Sequence, residues 1–380
     1  MTENETNMTE YGLLHRAEDF YCQNAERSYR MFGYPTQYVA LSERTKRLIL
    51  WHYTSPLSNN CGDIDERGNY AMDNKAAERE IVGLFAEKFG MGKNFWGYVT
   101  SGGSESNSAG IALAFREHPN GILYYSAASH YSVGKYAARY PHEEIPALEH
   151  DEIDTAVLFD RILKNYRKTG APANLVLTFG TTKYGAVDDI DKIVAFLRTH
   201  GIPYFIHVDA ALFGGIPNNQ IGAPTLRDAV ARGIDSISVS LHKYVGFPDV
   251  KSVIVAKKKP RGEHVAYIGQ SDTTVSGSRS LPAYALLSHL HEVLTMRPAD
   301  EYEKNILFFE GLLEDRKIPY YRAKEANIFV IDAPSDEVCK EFQLSTFDTF
   351  FENNTLQKSH IIIFPSHKKE DMIALADAIL

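Results

Sequence analysis

The chain has 380 residues, 44% hydrophobic and 23% charged, with a formal net charge of -9 at pH 7. That length asks for more than one small core, and the composition is ordinary for a globular protein. The acidic balance argues against a general binder of nucleic acid or of anionic membrane, because both repel a net anion.

Other exclusions come from local features. The start, Met1-Thr2-Glu3-Asn4-Glu5, lacks an apolar signal core, and no apolar run approaches the roughly 20 residues of a bilayer span. Cys22, Cys61 and Cys339 are odd in number, far apart and without metal-ligand spacing, so they read as reduced thiols. A cytoplasmic enzyme is the expected class.

In chain order, residues 1 to about 10 are expected to be disordered. Helices are predicted over Leu13 to Arg30 and Leu41 to Tyr53, followed by a turn-rich loop, Ser55 to Asp63. Residues 73 to 90 predict an amphipathic helix, with Ile81, Leu84, Phe85 and Phe89 at helical spacing. Strands and helices then alternate. Strands are predicted at Trp96 to Thr100, Ile122 to Ser126, Asn174 to Phe179, Tyr204 to Val208 and Asp235 to Val239. Helices are predicted between them at Gly103 to Arg116, Tyr131 to Arg139, Asp154 to Thr169 and Ile190 to His200.

That alternation implies an α/β fold with a mostly parallel sheet covered on both faces. The strand Ser252 to Ala256 follows so closely that it must pair antiparallel, since a parallel crossover needs a dozen or more residues. Beyond Pro282, helices at Ala283 to Met296 and Tyr302 to Glu314 and separated strands near Ile328 and Ile361 suggest a smaller α+β unit. The expected organisation is an N-terminal helical arm (1–50), a large domain (51–282) and a small C-terminal domain (283–380).

Ligands of such sheets bind beyond the carboxyl ends of the strands, so the residues there carry the argument. After the first strand, Ser101-Gly102-Gly103-Ser104 opens a helix. Glycines there let backbone approach a phosphate at a helix N-terminus, although a serine-capped turn alone is the better reading of that stretch. His130 follows the second strand and Gly180-Thr181-Thr182 the third. Asp209 ends the fourth, where a carboxylate is costly unless a cation, such as a protonated pyridine nitrogen, meets it. A metal reading of His207 with Asp209 lacks an obvious third ligand. After the fifth strand comes Ser240-Leu241-His242-Lys243, whose lysine is either a solvated surface charge or an amine nucleophile toward a carbonyl.

Together these strand-end groups make the set that a pyridoxal-phosphate site needs. The sequence resembles the group II pyridoxal-phosphate-dependent amino-acid decarboxylases, most closely their bacterial histidine decarboxylase branch. The resemblance rests on Gly33-Tyr34-Pro35, Asn59 to Asp63, Trp96 to Glu105 with Asn107, Gly121 to Val133, Gly180-Thr181-Thr182 with Gly185 to Asp189, His207 to Ala211, His242-Lys243 and Gly277-Ser278-Arg279.

The resemblance implies the aspartate-aminotransferase-like fold type I and a homodimer with interfacial active sites. It implies Lys243 as the Schiff-base lysine, His130 stacked on the cofactor ring, Asp209 on the pyridine nitrogen and Ala211 against the other ring face. Ser101, Gly102, Gly103, Ser104, Ser240 and His242 become candidates for the phosphate, and Thr182 for the ring oxygen. Tyr267 is the candidate proton donor or a packing tyrosine. Asn60, Tyr70, Ser278 and Arg279 are candidates for substrate, with Arg279 either holding a carboxylate or closing a structural ion pair.

Two departures stand close to the lysine. Leu241 replaces a glycine of the histidine branch, and Phe247 to Ser252 replaces a Ser-Pro-Ile-Pro-Cys-Gly pattern. The expected reaction is decarboxylation of an L-amino acid, histidine first. The alternatives are another fold type I lyase acting on a carbon–carbon bond, a decarboxylase for aromatic, aliphatic or acidic amino acids, and an inactive homologue that binds a partner.

Overall fold

The computed structural model describes residues 10–55, 58–351 and 354–380. The predicted disorder of the first residues, and Pro56 and Leu57 of the turn-rich loop, lie outside that set. Helix α1 (Glu10–Arg27) passes into a 3-10 turn, and α2 (Glu43–Thr54) is capped by Ser42, whose hydroxyl accepts from Thr45 N at 3.2 Å. Helix α3 (Lys75–Phe89) buries Ile81, Val82, Phe85 and Phe89 and stops at Gly90, in the left-handed conformation that glycine adopts at low cost.

The alternating part follows: β1 (Trp96–Thr100), α4 (Gly103–Glu117), β2 (Ile122–Ser126), α5 (Tyr131–Ala137), β3 (His142–Ile145), α6 (Thr155–Thr169), β4 (Ala173–Thr178), α7 (Ile190–Thr199), β5 (Tyr204–Asp209), β6 (Ser236–Ser240) and β7 (Ser252–Ala256). These strands form one seven-stranded sheet in the order β1-β7-β6-β5-β4-β2-β3. All neighbours pair parallel except β7, which runs antiparallel to β6 and β1, as its short connection requires. The result is the expected α/β architecture. It brings the ends of β1, β2, β4, β5 and β6 to one edge.

The remainder comprises β8 (Glu263–Val265) and β9 (Gln270–Asp272), which form a hairpin, then α8 (Ala283–Thr295), α9 (Glu301–Asp315), β10 (Tyr321–Arg322), β11 (Ile328–Asp332), α10 (Asp336–Glu341), β12 (Ser345–Phe351), β13 (Asn354–Ile362) and α11 (Lys369–Ala378). Strands β10 to β13 make a separate antiparallel sheet in the order β10-β11-β13-β12.

Five strands, β3, β8, β9, β10 and β12, are absent from the sequence-based expectation. β3 reads His-Glu-Glu-Ile and lies at the sheet edge, where pairing to β2 alone tolerates polar residues. β8 and β9 have three residues each, too few to show alternation.

The segment after α1 is stitched into the C-terminal part. Phe32 N donates to Phe342 O at 3.1 Å, Ile362 N donates to Phe32 O at 2.6 Å, and Arg30 pairs with Asp371 at 2.8 Å. A single apolar core accordingly runs from Phe32 through the large sheet to Met372, with a smaller cluster around Ile111, Leu123 and Val133.

Candidate active site

Lys243 sits in the turn after β6. Its carbonyl accepts from Gln37 N at 3.0 Å and from Gly246 N at 3.1 Å, so the backbone is held from both sides. Gly246 has φ +69°, and a Cβ there would fall 2.5 Å from Gln37 O. Burial pushes the Lys243 amine below the ordinary lysine range, opposed by the anionic Asp209. His130 lies in the same field: burial lowers it, Asp209 raises it and Lys243 lowers it further. The fold thus brings these three groups, from the ends of three strands, into one electrostatic neighbourhood.

Asp209 ends β5. It accepts from Asn107 Nδ2 at 2.7 Å and from Ala211 N at 3.1 Å. Both donors are neutral, so the carboxylate is fixed but its charge is not cancelled, and a cation beyond it is attracted. His130 caps α5, its Nδ1 accepting from Ser132 N at 3.3 Å and lying 2.8 Å from Ser132 Oγ.

Helix α4 begins at Gly103, after Gly102 at φ 150°, with no side-chain cap. A Cβ on Gly103 would lie 2.9 Å from Ser240 Oγ, so the first turn of α4 presses on the end of β6. An uncapped 15-residue helix start beside a serine hydroxyl is a seat for an anion. Ser101 is exposed with its N–H donated to Glu105 Oε2 at 2.9 Å, and Ser104 is half-buried. His242 is lowered by burial and donates from Nδ1 to Lys251 O at 3.1 Å, because a carbonyl can only accept.

The other predicted residues are placed differently. Thr182 is exposed in the turn beyond β4, whereas Thr181 is buried and accepts from Ala186 N at 3.0 Å. Ala211 is half-buried two residues beyond Asp209. Tyr267, in the β8–β9 turn, is 74% exposed, and Tyr70 is 52% exposed. The two segments touch through Asn69 Nδ2, which donates to Tyr267 O at 3.1 Å. Ser278 is exposed and donates to Asn59 Oδ1 at 2.6 Å.

Asn60 requires a correction as a substrate ligand. It is fully buried, and its amide donates to Asn74 Oδ1 at 2.8 Å and Glu78 Oε2 at 2.7 Å, which uses both hydrogens. Arg279 closes a structural ion pair: Nη2 reaches Glu78 Oε2 at 3.3 Å, and the guanidinium lies 5.0 Å over the Tyr98 ring. Leu241 and Phe247 are core residues, 0% and 1% exposed.

Residues outside the predicted set complete the site. Asn107 faces Asp209 from α4, and His207 stands behind it with Nδ1 2.8 Å from Ser236 Oγ and Nε2 3.2 Å from Asn107 Oδ1. Both ring nitrogens are therefore engaged without a metal. The signal in the sequence was Gly110, three residues after Asn107 on the same helix face. A Cβ there would fall 2.3 Å from His207 Nδ1, so glycine is what lets α4 lie on β5.

An amine that burial pushes toward its neutral form, a carboxylate with uncancelled charge, an imidazole in the field of both and an anion seat fit the groups of pyridoxal phosphate. The architecture and this strand-end set define a fold type I pyridoxal-phosphate enzyme. Residues 79–277 match the pyridoxal-dependent decarboxylase conserved domain, and the chain belongs to that family, with pyridoxal phosphate as its cofactor.

The chain is 32% identical to the histidine decarboxylase of Mesorhizobium japonicum over 341 residues, which is 87% of this chain and 89% of that protein. It is 34% identical to the histidine decarboxylase of Acinetobacter baumannii over 357 residues, 87% of each. In fold it is similar to L-methionine decarboxylase from Streptomyces sp.590, with a TM-score of 0.81 at 19% identity, covering 100% of this chain and 98% of that one.

Proposed function

We propose that this decarboxylase acts on L-histidine, yielding the corresponding amine and carbon dioxide, as a homodimer with active sites at the subunit interface. The observation that carries the reaction is the neighbourhood of Lys243, Asp209 and His130. Two histidine decarboxylases at 32% and 34% identity support the substrate.

Bound pyridoxal phosphate supplies an electron sink for the pair released as carbon dioxide departs. Lys243, kept toward its neutral amine by burial, is the nucleophile that holds the cofactor. With the cofactor bound, Asp209 would keep a proton on the pyridine nitrogen, His130 would cover one face of the ring and Ala211 the other, and Thr182 would meet the ring oxygen. Ser101, Gly102, Gly103, Ser104, Ser240 and His242 would seat the phosphate at the start of α4. Tyr267 would deliver the proton to Cα, and Tyr70 and Ser278 would contact substrate.

The exposure of Tyr70, Tyr267 and Ser278 on their own subunit is what residues serving a neighbouring site would show. Leu50, Trp51 and Tyr53 of α2 also stand at 59–62% exposure, an apolar surface for a second copy to cover. No described helix is long and apolar enough to cross a membrane. With three free thiols, the protein fits a cytoplasmic setting.

The test is carbon dioxide release by the purified holoenzyme from each amino acid, together with its mass in solution. Histidine is expected to give the highest kcat/KM with stoichiometric amine and no aldehyde. Faster release from another amino acid removes histidine, and a solution mass of one 42.7 kDa chain removes the dimer.

A further inference from the structure

We propose that Asn107 is a positioning residue of the reaction: its buried amide, aimed by His207 and Ser238, holds the Asp209 carboxylate and, through Ser132, the His130 imidazole in fixed orientation and tautomer. The proposal rests on the reading of Asp209 and His130 as cofactor partners, and not on the identity of the substrate.

The orientation of the amide follows from its neighbours. Asp209 Oδ2, 2.7 Å away, is a carboxylate oxygen that accepts, so the amide nitrogen must face it. Asn107 Oδ1 then faces Ser238 Oγ at 3.1 Å and His207 Nε2 at 3.2 Å, and both must donate. His207 is fully buried and stays neutral, so with its proton on Nε2 its Nδ1 accepts from the Ser236 hydroxyl at 2.8 Å. Every member of this chain has one consistent donor and acceptor assignment. Asn107, Ser236 and Ser238 are each at most 1% exposed, so water does not compete.

The second amide hydrogen points at Ser132 Oγ, 3.3 Å away. That hydroxyl accepts from the amide and gives its own proton to His130 Nδ1 at 2.8 Å. The backbone supplies the same answer independently, because Ser132 N also donates to His130 Nδ1 at 3.3 Å. Nδ1 is thus an acceptor twice over, and the His130 proton resides on Nε2, the nitrogen free of these bonds. One neutral amide therefore sets a carboxylate and an imidazole that belong to different strand ends. A cationic side chain in its place would cancel the charge that Asp209 offers to a pyridine nitrogen, whereas an amide orients the carboxylate and leaves that charge available.

The test uses holoenzyme of Asn107→Ala, Asn107→Asp, Ser132→Ala and Asp209→Asn. The readouts are the pH titration of the bound cofactor's visible absorbance, the dissociation constant of pyridoxal phosphate without substrate, and kcat and KM. Loss of a hydrogen bond to a charged group predicts that Asn107→Ala weakens cofactor binding about 10-fold or more and shifts the titration midpoint by about one pH unit. Its kcat is expected to fall about 10²-fold with little change in KM. Ser132→Ala breaks only the His130 arm, and is expected to lower kcat about 10-fold while cofactor affinity stays at the wild-type value.

A folded Asn107→Ala with wild-type titration and cofactor affinity overturns the proposal. If that variant does not fold, Asn107→Asp decides, because a second carboxylate against Asp209 must shift the titration strongly and an unshifted profile refutes the clamp. Asp209→Asn separates the two readings. If it binds the cofactor and titrates like the wild type, the cofactor assignment itself has failed, and not the clamp alone. A wrong substrate leaves all of the substrate-free readouts unchanged.

Discussion

The backbone amide of Gln37 donates to the carbonyl of Lys243 across 3.0 Å, which ties the N-terminal segment to the lysine proposed to hold the cofactor. Gly246 N donates to the same carbonyl at 3.1 Å from the far side of the turn, and Gly246 can do so only at φ +69°. An added methyl there meets Gln37 O at 2.5 Å and Val39 Cγ2 at 2.7 Å. Gly246→Ala should therefore displace both partners of the Lys243 carbonyl. Strain of about 1–3 kcal/mol is expected. A lower Tm together with weaker cofactor retention is the outcome to look for, and a variant that melts and retains cofactor like the wild type refutes the coupling.

Lys243→Ala is expected to abolish turnover and the visible band of the lysine-bound cofactor. Asp209→Asn keeps the shape of the side chain and removes its charge, so kcat should fall by about 10²–10³-fold, the usual effect of deleting one preorganised electrostatic contact. Undiminished carbon dioxide release by either variant contradicts the assignment.

Arg279 and Glu78 form a pair with side chains only 3% and 0% exposed, and Glu78 also accepts from Val99 N at 2.9 Å and from Asn60. Arg279→Met strands a buried carboxylate, at a cost of about 3–5 kcal/mol. Thermal denaturation should show the loss in full with or without substrate. A variant with wild-type Tm and a raised KM would mean that Arg279 binds substrate instead.

Acid should destabilise the protein through two buried histidines. Burial pulls His207 down to about 4 and His367 down to about 3, the latter with its Nδ1 accepting from Phe364 N at 3.2 Å. Unfolded histidines take up a proton near about 6.5, so below that pH the unfolded chain binds more protons and stability falls. Their contribution is complete above about pH 6.5 and is lost as pH falls through about 4 and then about 3. Asp188, raised to about 6 by burial, works in the opposite direction and offsets part of the loss. Tm measured at pH 7.5 and again near pH 5 should drop by several degrees, at roughly 2–4 °C per kcal/mol for chains of moderate size. His367→Gln should flatten that slope, and equal Tm values at both pH values would refute the account.

Much of this molecule was legible because its signals are local. Trp96 to Thr100, Ile122 to Ser126 and Ser252 to Ala256 are apolar runs bounded by turn residues, and the structure places strands at those same boundaries. The short link before Ser252 already required an antiparallel partner. Lys243, His130 and Asp209 were nameable because each stands at or just past the end of an apolar strand, and parallel strands present their carboxyl ends at one edge of the sheet.

The pairings across the chain were not legible. Asn107 lies 100 residues from His207 and 102 from Asp209, and Glu78 lies 201 from Arg279. No spacing rule links them, so Asn60 read as a substrate ligand and Arg279 as either a carboxylate holder or half of a structural ion pair. Only tertiary packing brings the Asn60 amide and Arg279 Nη2 to Glu78, while Arg279 Nε and Nη1 are buried without a hydrogen-bond partner among the described residues. Thus the residue types and their strand-end positions determined the chemistry, while the folded interior decided which side chains are committed to one another and which remain free to meet a ligand.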